Sequence, residues 1–323
     1  MRPLSLLVKV PASVGNFGGA VDCAALTIDA MFNVKVTPRT DGRVGIRYFG
    51  EKGKRIPRDR SNLVVRAMEA ALHLRGLEFT GADFEVYNSI PVGVGLGSST
   101  AAVLAGLIAA DRLYALGLNE KTVFDLARIY ESRLDNLYAA WHGGFVACTG
   151  SQHYPILRRT FVPGDFILSV VTPESKPGLA ITETQRQAGL AGQDQSVNLD
   201  RARVLADLFT RSKKNAEAGL QPTLPPSYRK VVPGLEEVLK IRADHVMGVF
   251  VCGSGPAIGI LSHANPDETI RAVRQRFLDF GVSSTCGLFR PTNAGALELN
   301  AVAPHITLPV LRLTETQTRG PAS

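Results

Sequence analysis

Apolar residues recur with two spacings along the chain, and each spacing predicts its own kind of element. In "DFEVYNSI", Phe84 and Val86 alternate with Glu85 and Tyr87, the two-residue period of a half-exposed strand. The segment from Leu4 to Val10, "IDAMFNVKVTP" and "RVGIRYFG" read as further strands separated by polar turns. In "SNLVVRAMEAALHLRG" the period changes. Leu63, Ala67 and Ala70 fall on one helical face, Ser61 reads as the N-cap and Gly76 as the stop. A long, alanine-rich apolar helix is expected from Ser98, and another from Glu120 to about Leu137, ahead of "HGGFVACTG". The second half opens on the strand "FILSVVTP" and carries the amphipathic helices "RARVLADLFTR", "GLEEVLKIRAD" and "DETIRAVRQRFLDFG". Between the last two, "VMGVFVCGSGPAIGILSHA" reads as strand, glycine turn, strand. This is an α+β pattern, with domains expected over 1–160 and 161–312. Residues 187–196 are the most linker-like stretch, and 313–323 read as a disordered tail.

At 323 residues and 45% hydrophobic, the chain can bury a core in each of two domains. Its 36 Lys and Arg against 29 Asp and Glu leave +7, but the cations are scattered and do not interleave with aromatics. That distribution describes a solvated surface, not a nucleic-acid face. The longest apolar run, Ala101 to Ala110, is about half of the ~20 residues a bilayer span requires. The N-terminal apolar run is interrupted by Lys9 and followed by no small-residue cleavage site, so neither export nor membrane insertion is expected and a cytoplasmic protein is the reading. Cys23, Cys148, Cys252 and Cys286 stand far apart without a C-x-x-C pair, which predicts buried free thiols, not a zinc site.

The chemistry concentrates in "NSIPVGVGLGSSTAAVLAG". Glycines there permit positive φ and leave amides uncovered, and the helix that follows adds unsatisfied N–H donors and a positive dipole end. Together these make a cradle for an anion, a phosphate chain above all, although a ligand-free strand-to-helix turn would use the same glycines. The P-loop pattern fails, because no Lys or Arg lies between Gly76 and Asp111. The pattern G-x-G-x-x-G fails as well: Gly93 and Gly95 fit, but Ser98 occupies the third position. A cradle without lysine needs a metal to neutralise phosphate charge, and a serine hydroxyl can help to hold Mg²⁺.

"PVGVGLGSSTA" resembles the P-x-x-x-G-L-G-S-S-A signature of the GHMP kinases, the superfamily of galactokinase, homoserine kinase, mevalonate kinase and phosphomevalonate kinase. Pro91, Gly95, Leu96, Gly97, Ser98 and Ser99 match, and Thr100 replaces the usual Ala. "ESRLDNLYAAWHGGFVA" resembles E-G-H-x-D-N-x-A-x-x-x-x-G-G of the homoserine kinases, with Glu131, Asp135, Asn136, Gly143 and Gly144 in register. The same residues also read as surface charges at i, i+3 and i+4 of one helix, through Arg128, Glu131 and Asp135. "VFVCGSGPAIGIL" resembles the late G-x-G-P segment, and "VKVPASVGNFGGAVDCAALTI" resembles V-x-V-P-A-S-x-A-N-L-G-P-G-F-D with Asn16 and Asp22 matching. "ITETQR" and "SYRKVVPG" resemble two substrate-binding segments with Arg186 and Arg229.

The resemblance spans about residues 8 to 295. It implies an N-terminal domain like the second domain of ribosomal protein S5, a ferredoxin-like C-terminal domain, and a homodimer. It implies ATP bound by Asn62, Pro91, Gly93, Gly95, Leu96, Gly97, Ser98 and Ser99, with Gly253 and Gly255 packed beside them. Mg²⁺ would be held by Glu131, Ser98 and Ser99, with Glu131, Asn136 and Ser98 at the reacting centre. An amino acid acceptor, L-homoserine in the family, would be bound by Asn16, Asp22, Arg133, Asn136, Arg186 and Arg229: Asp22 suits its ammonium group, and the two later arginines suit its carboxylate. A side chain at Gly95 or Gly97 is expected to fill the space a phosphate would enter.

Departures from the family pattern keep other readings open. "GGAVD" lacks a proline and an aromatic before Asp22, Arg133 stands where the family has His, and Pro225 stands where a second His is expected. An arginine at a helix end is expected to be solvated; turned inward, Arg133 would favour an acceptor with an additional anionic group. Another small hydroxy acid or hydroxy amino acid as acceptor, or a non-catalytic protein that binds nucleotide or metabolite, therefore stands beside the homoserine reading.

Overall fold

The computed structural model describes residues 5–51, 55–148, 156–174, 195–210 and 232–300. The first sheet is built from β1 (Leu6–Gly15), β2 (Ala24–Pro38), β3 (Val44–Gly50), β4 (Ala82–Asn88), β5 (Phe145–Cys148), β6 (Ile156–Thr160) and β11 (Leu297–Asn300). Its main path runs β11-β1-β2-β4-β3, with β5 and then β6 added on β2. The strand read from Leu4 to Val10 runs on to Gly15, through a register shift at Pro11/Ala12. That extra length carries the chain to Asn16, beside the glycine cradle.

Helices α1 (Leu63–Leu74), α2 (Ser98–Tyr114), α3 (Glu120–Ala127) and α4 (Leu134–His142) accompany this sheet. α2 is apolar all round and is buried along nearly its whole length, as such a helix must be. Small residues allow close approach: a Cβ on Gly106 would lie 2.9 Å from that of Ala67 on α1. Two sequence expectations change here. The N-cap of α1 is Asn62, whose side chain accepts from the Val64 amide, and not Ser61, which hydrogen-bonds to Asp59 instead. The single helix expected from Glu120 to Leu137 is two, broken across 128–133, so Arg128, Glu131 and Asp135 do not share a helical face.

The second sheet is antiparallel, order β10-β7-β9-β8, from β7 (Ile167–Pro173), β8 (Val246–Val251), β9 (Ile258–Ser262) and β10 (Ser284–Phe289). With α5 (Gln195–Leu208) and α6 (Leu235–Leu239) between its first two strands and α7 (Asp267–Asp279) before its last, this is the ferredoxin-like order. β11 then leaves this unit and pairs with β1, so residues 297–300 complete the N-terminal sheet although they fall in the C-terminal half of the chain. The tail expected to be disordered lies outside the described residues. Cys23, Cys148 and Cys252 are buried free thiols and Cys286 is half-buried. Among the described residues no helix is long and apolar enough to cross a membrane.

An aromatic cluster joins the two sheets. Phe17, in a short turn after β1, sits 5.8 Å from Phe145 of β5 and 4.7 Å from Phe250 of β8, both edge to face. Such contacts add about 0.5–1.5 kcal/mol each beyond the area they bury. All three rings are fully buried. Phe17→Ala is therefore expected to destabilise the protein by about 3–5 kcal/mol in urea unfolding; a loss below about 1 kcal/mol would show that the two sheets are joined elsewhere.

Candidate active site

The end of β4 delivers the chain into the glycine segment, where Gly93, Gly95 and Gly97 all take positive φ, 76°, 94° and 74°. Gly97 is the N-cap residue of α2, and no side chain caps it, so the first amides of the helix stand bare. The reason for glycine at 95 and 97 differs from the expectation. A Cβ on Gly95 would collide with the Cys252 carbonyl oxygen, and one on Gly97 would lie 2.5 Å from Ser13 Oγ and 2.7 Å from Ser13 O. Both positions are bare because backbone packs against backbone there, and of the three only Gly93 faces open space.

Beside this cradle lies a cavity of about 590 Å³. The cradle from Gly95 to Ser99 forms one wall, Tyr48, Asn62 and Asn88 another, and the whole α3–α4 connection from Arg128 to Arg133 a third. Pro91, Gly253 and Gly255 do not line it; Ser254 does. Gly253 and Gly255 act behind the wall: a Cβ on Gly253 would sit 2.6 Å from Gly95 O, and the Gly253 amide donates to Gly15 O at 2.8 Å. Asn62 reaches the cavity, but its amide is engaged by Val64 N and by Pro57 O at 2.8 Å.

The break between α3 and α4 turns Glu131 inward. Its Oε2 accepts from Thr100 Oγ1 at 2.7 Å and from Ser99 Oγ at 3.3 Å, and the residue is buried. Ser98 faces the other way, with its Oγ accepting from Asn88 Nδ2 at 3.2 Å. Of the two serines, Ser99 accompanies the carboxylate. Glu131 and the Ser99 hydroxyl offer hard oxygen donors of the kind Mg²⁺ takes. Among the described residues no group of three His, Cys, Asp or Glu side chains forms a metal cluster.

A second polar group lies where β1 ends. Asn16, in left-handed conformation, donates from its amide to Asp135 Oδ2 at 2.9 Å and from Nδ2 to Gly253 O at 3.1 Å, while its Oδ1 accepts from the Asp22 amide at 2.8 Å. Asn16, whose side chain is expected to bind substrate, thus ties these segments together through its backbone amide and its side chain. Asp22 sits exposed at the rim; the protein packed around its carboxyl raises its pKa, Arg133 opposing and Glu131 adding to the rise. Asp135 is fully buried, and that burial lifts its pKa to about 7 against the pull of Arg133, with Asp22 adding to the rise. Neighbouring Asn136 is fully buried, and neither of its side-chain polar atoms has a hydrogen-bond partner among the described residues.

Arg133 points inward, contrary to the solvated arginine expected. Its side chain is 15% exposed and its Nε lies 3.8 Å from Glu131 Oε1. The Asp22 and Asp135 carboxyl groups also face it, so its charge sits among three acidic groups. Arg186 and Arg229 lie outside the described residues. Tyr48, Asn88, Arg128 and Ser254 join the cavity wall with no sequence motif to mark them, and Asp135 is buried at the junction without an expected role. Spacing carries no signal for them, since they arrive from β3, β4, the broken helix and the β8–β9 turn.

Residues 62–144 match the family described as GHMP kinases N terminal domain. The chain is 31% identical over 286 residues to a homoserine kinase of Streptomyces coelicolor, covering 84% of this chain and 89% of the relative. It is 29% identical over 273 residues to one of Solibacter usitatus, with the same coverage of 84% and 89%. In fold it is similar to the crystal structure of homoserine kinase from Cytophaga hutchinsonii (TM-score 0.75, 21% identity, covering 93% of this chain and 98% of that one). It also resembles the mevalonate kinase of Methanococcus jannaschii (TM-score 0.60, 13% identity, 88% and 98% covered).

The raised pKa of Asp135 fixes a sign. Its folded state holds a proton that the unfolded chain, with an ordinary value of 3.8, has already released, so stability falls as pH rises from about 4 to about 7 and levels beyond. Asp135→Asn removes this term. The wild type is expected to lose Tm relative to the variant across that window, measured by calorimetry at half-unit steps; a constant difference in Tm would mean that Asp135 is ionised throughout.

Proposed function

We propose a function from one premise: the chain belongs to the homoserine kinase family, a branch of the GHMP kinases. It is an ATP-dependent kinase that transfers the γ-phosphoryl group to the side-chain hydroxyl of L-homoserine, a step of threonine biosynthesis. The observation that carries this reading is the meeting of Glu131 with Ser99 and Thr100 at the bare N-terminus of α2, on the wall of a cavity large enough for a nucleotide.

In this reading the amides that open α2 and the loop from Gly93 to Gly97 receive the phosphates, and the cavity between Tyr48, Asn62 and the α3–α4 connection receives the nucleoside. Glu131 and Ser99 would hold Mg²⁺, which when bound neutralises charge on the β- and γ-phosphates. The acceptor lies toward the end of β1. The exposed carboxyl of Asp22 suits its ammonium group, and by the family resemblance Arg186 and Arg229 suit its carboxylate. Asn136 offers an amide with no partner among the described residues, so a ligand's hydroxyl or a phosphoryl oxygen is its complement. Positioning and charge stabilisation carry most of phosphoryl transfer, and no strong base is required of any of these groups. The inward Arg133 does not call for a more anionic acceptor, because Glu131 already pairs with it and Asp22 and Asp135 face it as well.

A coupled assay of ADP release with L-homoserine and a panel of hydroxy acids tests the assignment: homoserine should give the highest kcat/KM. Glu131→Gln is expected to lower kcat by about 10- to 100-fold at limiting Mg²⁺. Near-normal turnover would assign the metal to another carboxylate. Arg229→Ala should raise KM for homoserine by the equivalent of about 2 to 4 kcal/mol, and an unchanged KM would remove Arg229 from the site.

A further inference from the structure

One amide on the cavity wall holds two hydroxyls. Asn88 ends β4 and is 6% exposed. Its Oδ1 accepts from the Ile90 amide at 2.9 Å, and its Nδ2 donates to Tyr48 Oη at 2.9 Å and to Ser98 Oγ at 3.2 Å. The orientation of the amide group is not arbitrary. A backbone N–H can only donate, so the oxygen must face Ile90 and the NH₂ must face the two hydroxyls. Both NH₂ hydrogens are then spent.

The consequence falls on Tyr48 and Ser98. Each hydroxyl accepts from Asn88, so its own hydrogen points elsewhere, and no acceptor among the described residues takes it. Both residues line the cavity, Ser98 in the cradle and Tyr48 on β3 across from it. Burial raises the pKa of Tyr48, first among its causes, so the phenol keeps its proton at neutral pH. A Cβ on Gly50 would lie 2.5 Å from the Asn88 carbonyl oxygen, so a bare residue is needed there for the close backbone approach of β3 to β4 that brings Tyr48 beside Asn88.

We infer that Asn88 is a positioning residue that turns the hydroxyls of Ser98 and Tyr48 into a pair of donors facing the cavity, set to bind the acceptor oxygens of a nucleoside triphosphate. This rests on the nucleotide reading above. It also divides the labour of the two serines: Ser99 stands with Glu131, whereas Ser98 donates to the ligand. A donor rail of this kind favours ligands rich in acceptor oxygens and does not respond to the amino acid, so Asn88 acts on the affinity for ATP and not on that for homoserine.

Calorimetry of ATP binding to the wild-type chain comes first; absence of binding there would sink the nucleotide reading itself, independently of Asn88. Given binding, Asn88→Ala and Ser98→Ala are each expected to raise Kd and KM for ATP at least tenfold, with KM for homoserine changed less than twofold. Tyr48→Phe, which removes only the oxygen, is expected to weaken ATP at least threefold. Because Asn88 acts through Ser98, the double variant Asn88→Ala/Ser98→Ala should be within about threefold of the worse single variant. Multiplied losses in the double variant, ATP affinity unchanged in Asn88→Ala, or KM for homoserine rising in parallel would each overturn the inference. Should Asn88→Ala fail to fold, Asn88→Asp keeps the size and the Ile90 acceptor while reversing both hydroxyl bonds. It should lose ATP binding with Tm within a few degrees of wild type, and wild-type ATP affinity in that variant would likewise overturn the proposal.

Discussion

Three stretches of backbone meet at the glycine cradle with no room for a side chain between them, and the rest of the site is arranged around that contact. Gly95 abuts the Cys252 carbonyl of the β8–β9 turn, Gly253 abuts Gly95 in return, and Gly97 abuts Ser13 of β1. The contact joins the two sheets at the point where α2 begins. Any residue but glycine at these places would force the sheets apart or turn the helix away, because positive φ and a Cβ collision act together. Asn16 locks the same junction with three hydrogen bonds, to Asp135, Gly253 and Asp22. The bare amides of α2 are held in place by everything that touches the loop before them.

Charge is handled economically in the space this leaves. The cradle itself contains no cation, yet the α3–α4 connection brings Arg128 and Arg133 to the same cavity from far along the chain. Arg133 is divided among Glu131, Asp22 and Asp135, and burial then decides what each carboxyl does. Asp135, with no solvent, gives up most of its acidity; Asp22, at the rim, stays reachable by a ligand. An arginine in place of a histidine thus supplies a permanent positive charge to a neighbourhood otherwise acidic, where a neutral imidazole would leave the carboxylates to repel one another.

Local signals and long-range ones were legible in the sequence to different degrees. An alanine-rich apolar run marked α2, the two-residue period marked β4, and the glycine segment announced a cradle because its amides are uncovered by local geometry alone. The break in "EKTVFDLARIYESRLDNLYAAW" was not legible: each half keeps a helical period, and the break accompanies a tertiary bond, the one Glu131 accepts from Thr100. Asn62 displaced Ser61 as a cap for a related reason, since both residues can cap and Asp59 takes the Ser61 hydroxyl. Nor does any spacing join Tyr48, Asn88 and Ser98. Their association is a property of the parallel pairing of β3 with β4, and strand pairing across an intervening helix leaves no local trace.

The return of β11 to the first sheet has a consequence for how the molecule is made. Leu6 pairs with Asn300, so the outer edge of β1 has no partner until nearly the whole described chain has left the ribosome. At about 5–20 residues per second, that edge waits for roughly 15 to 60 seconds. During that interval an apolar strand, inward-facing on both sides in the finished protein, offers its open hydrogen-bonding groups to any passing chain. The helices and β2 can assemble early, but the sheet that carries the catalytic cradle closes last, and synthesis of this enzyme in the cell therefore depends on keeping one strand edge covered until its partner arrives.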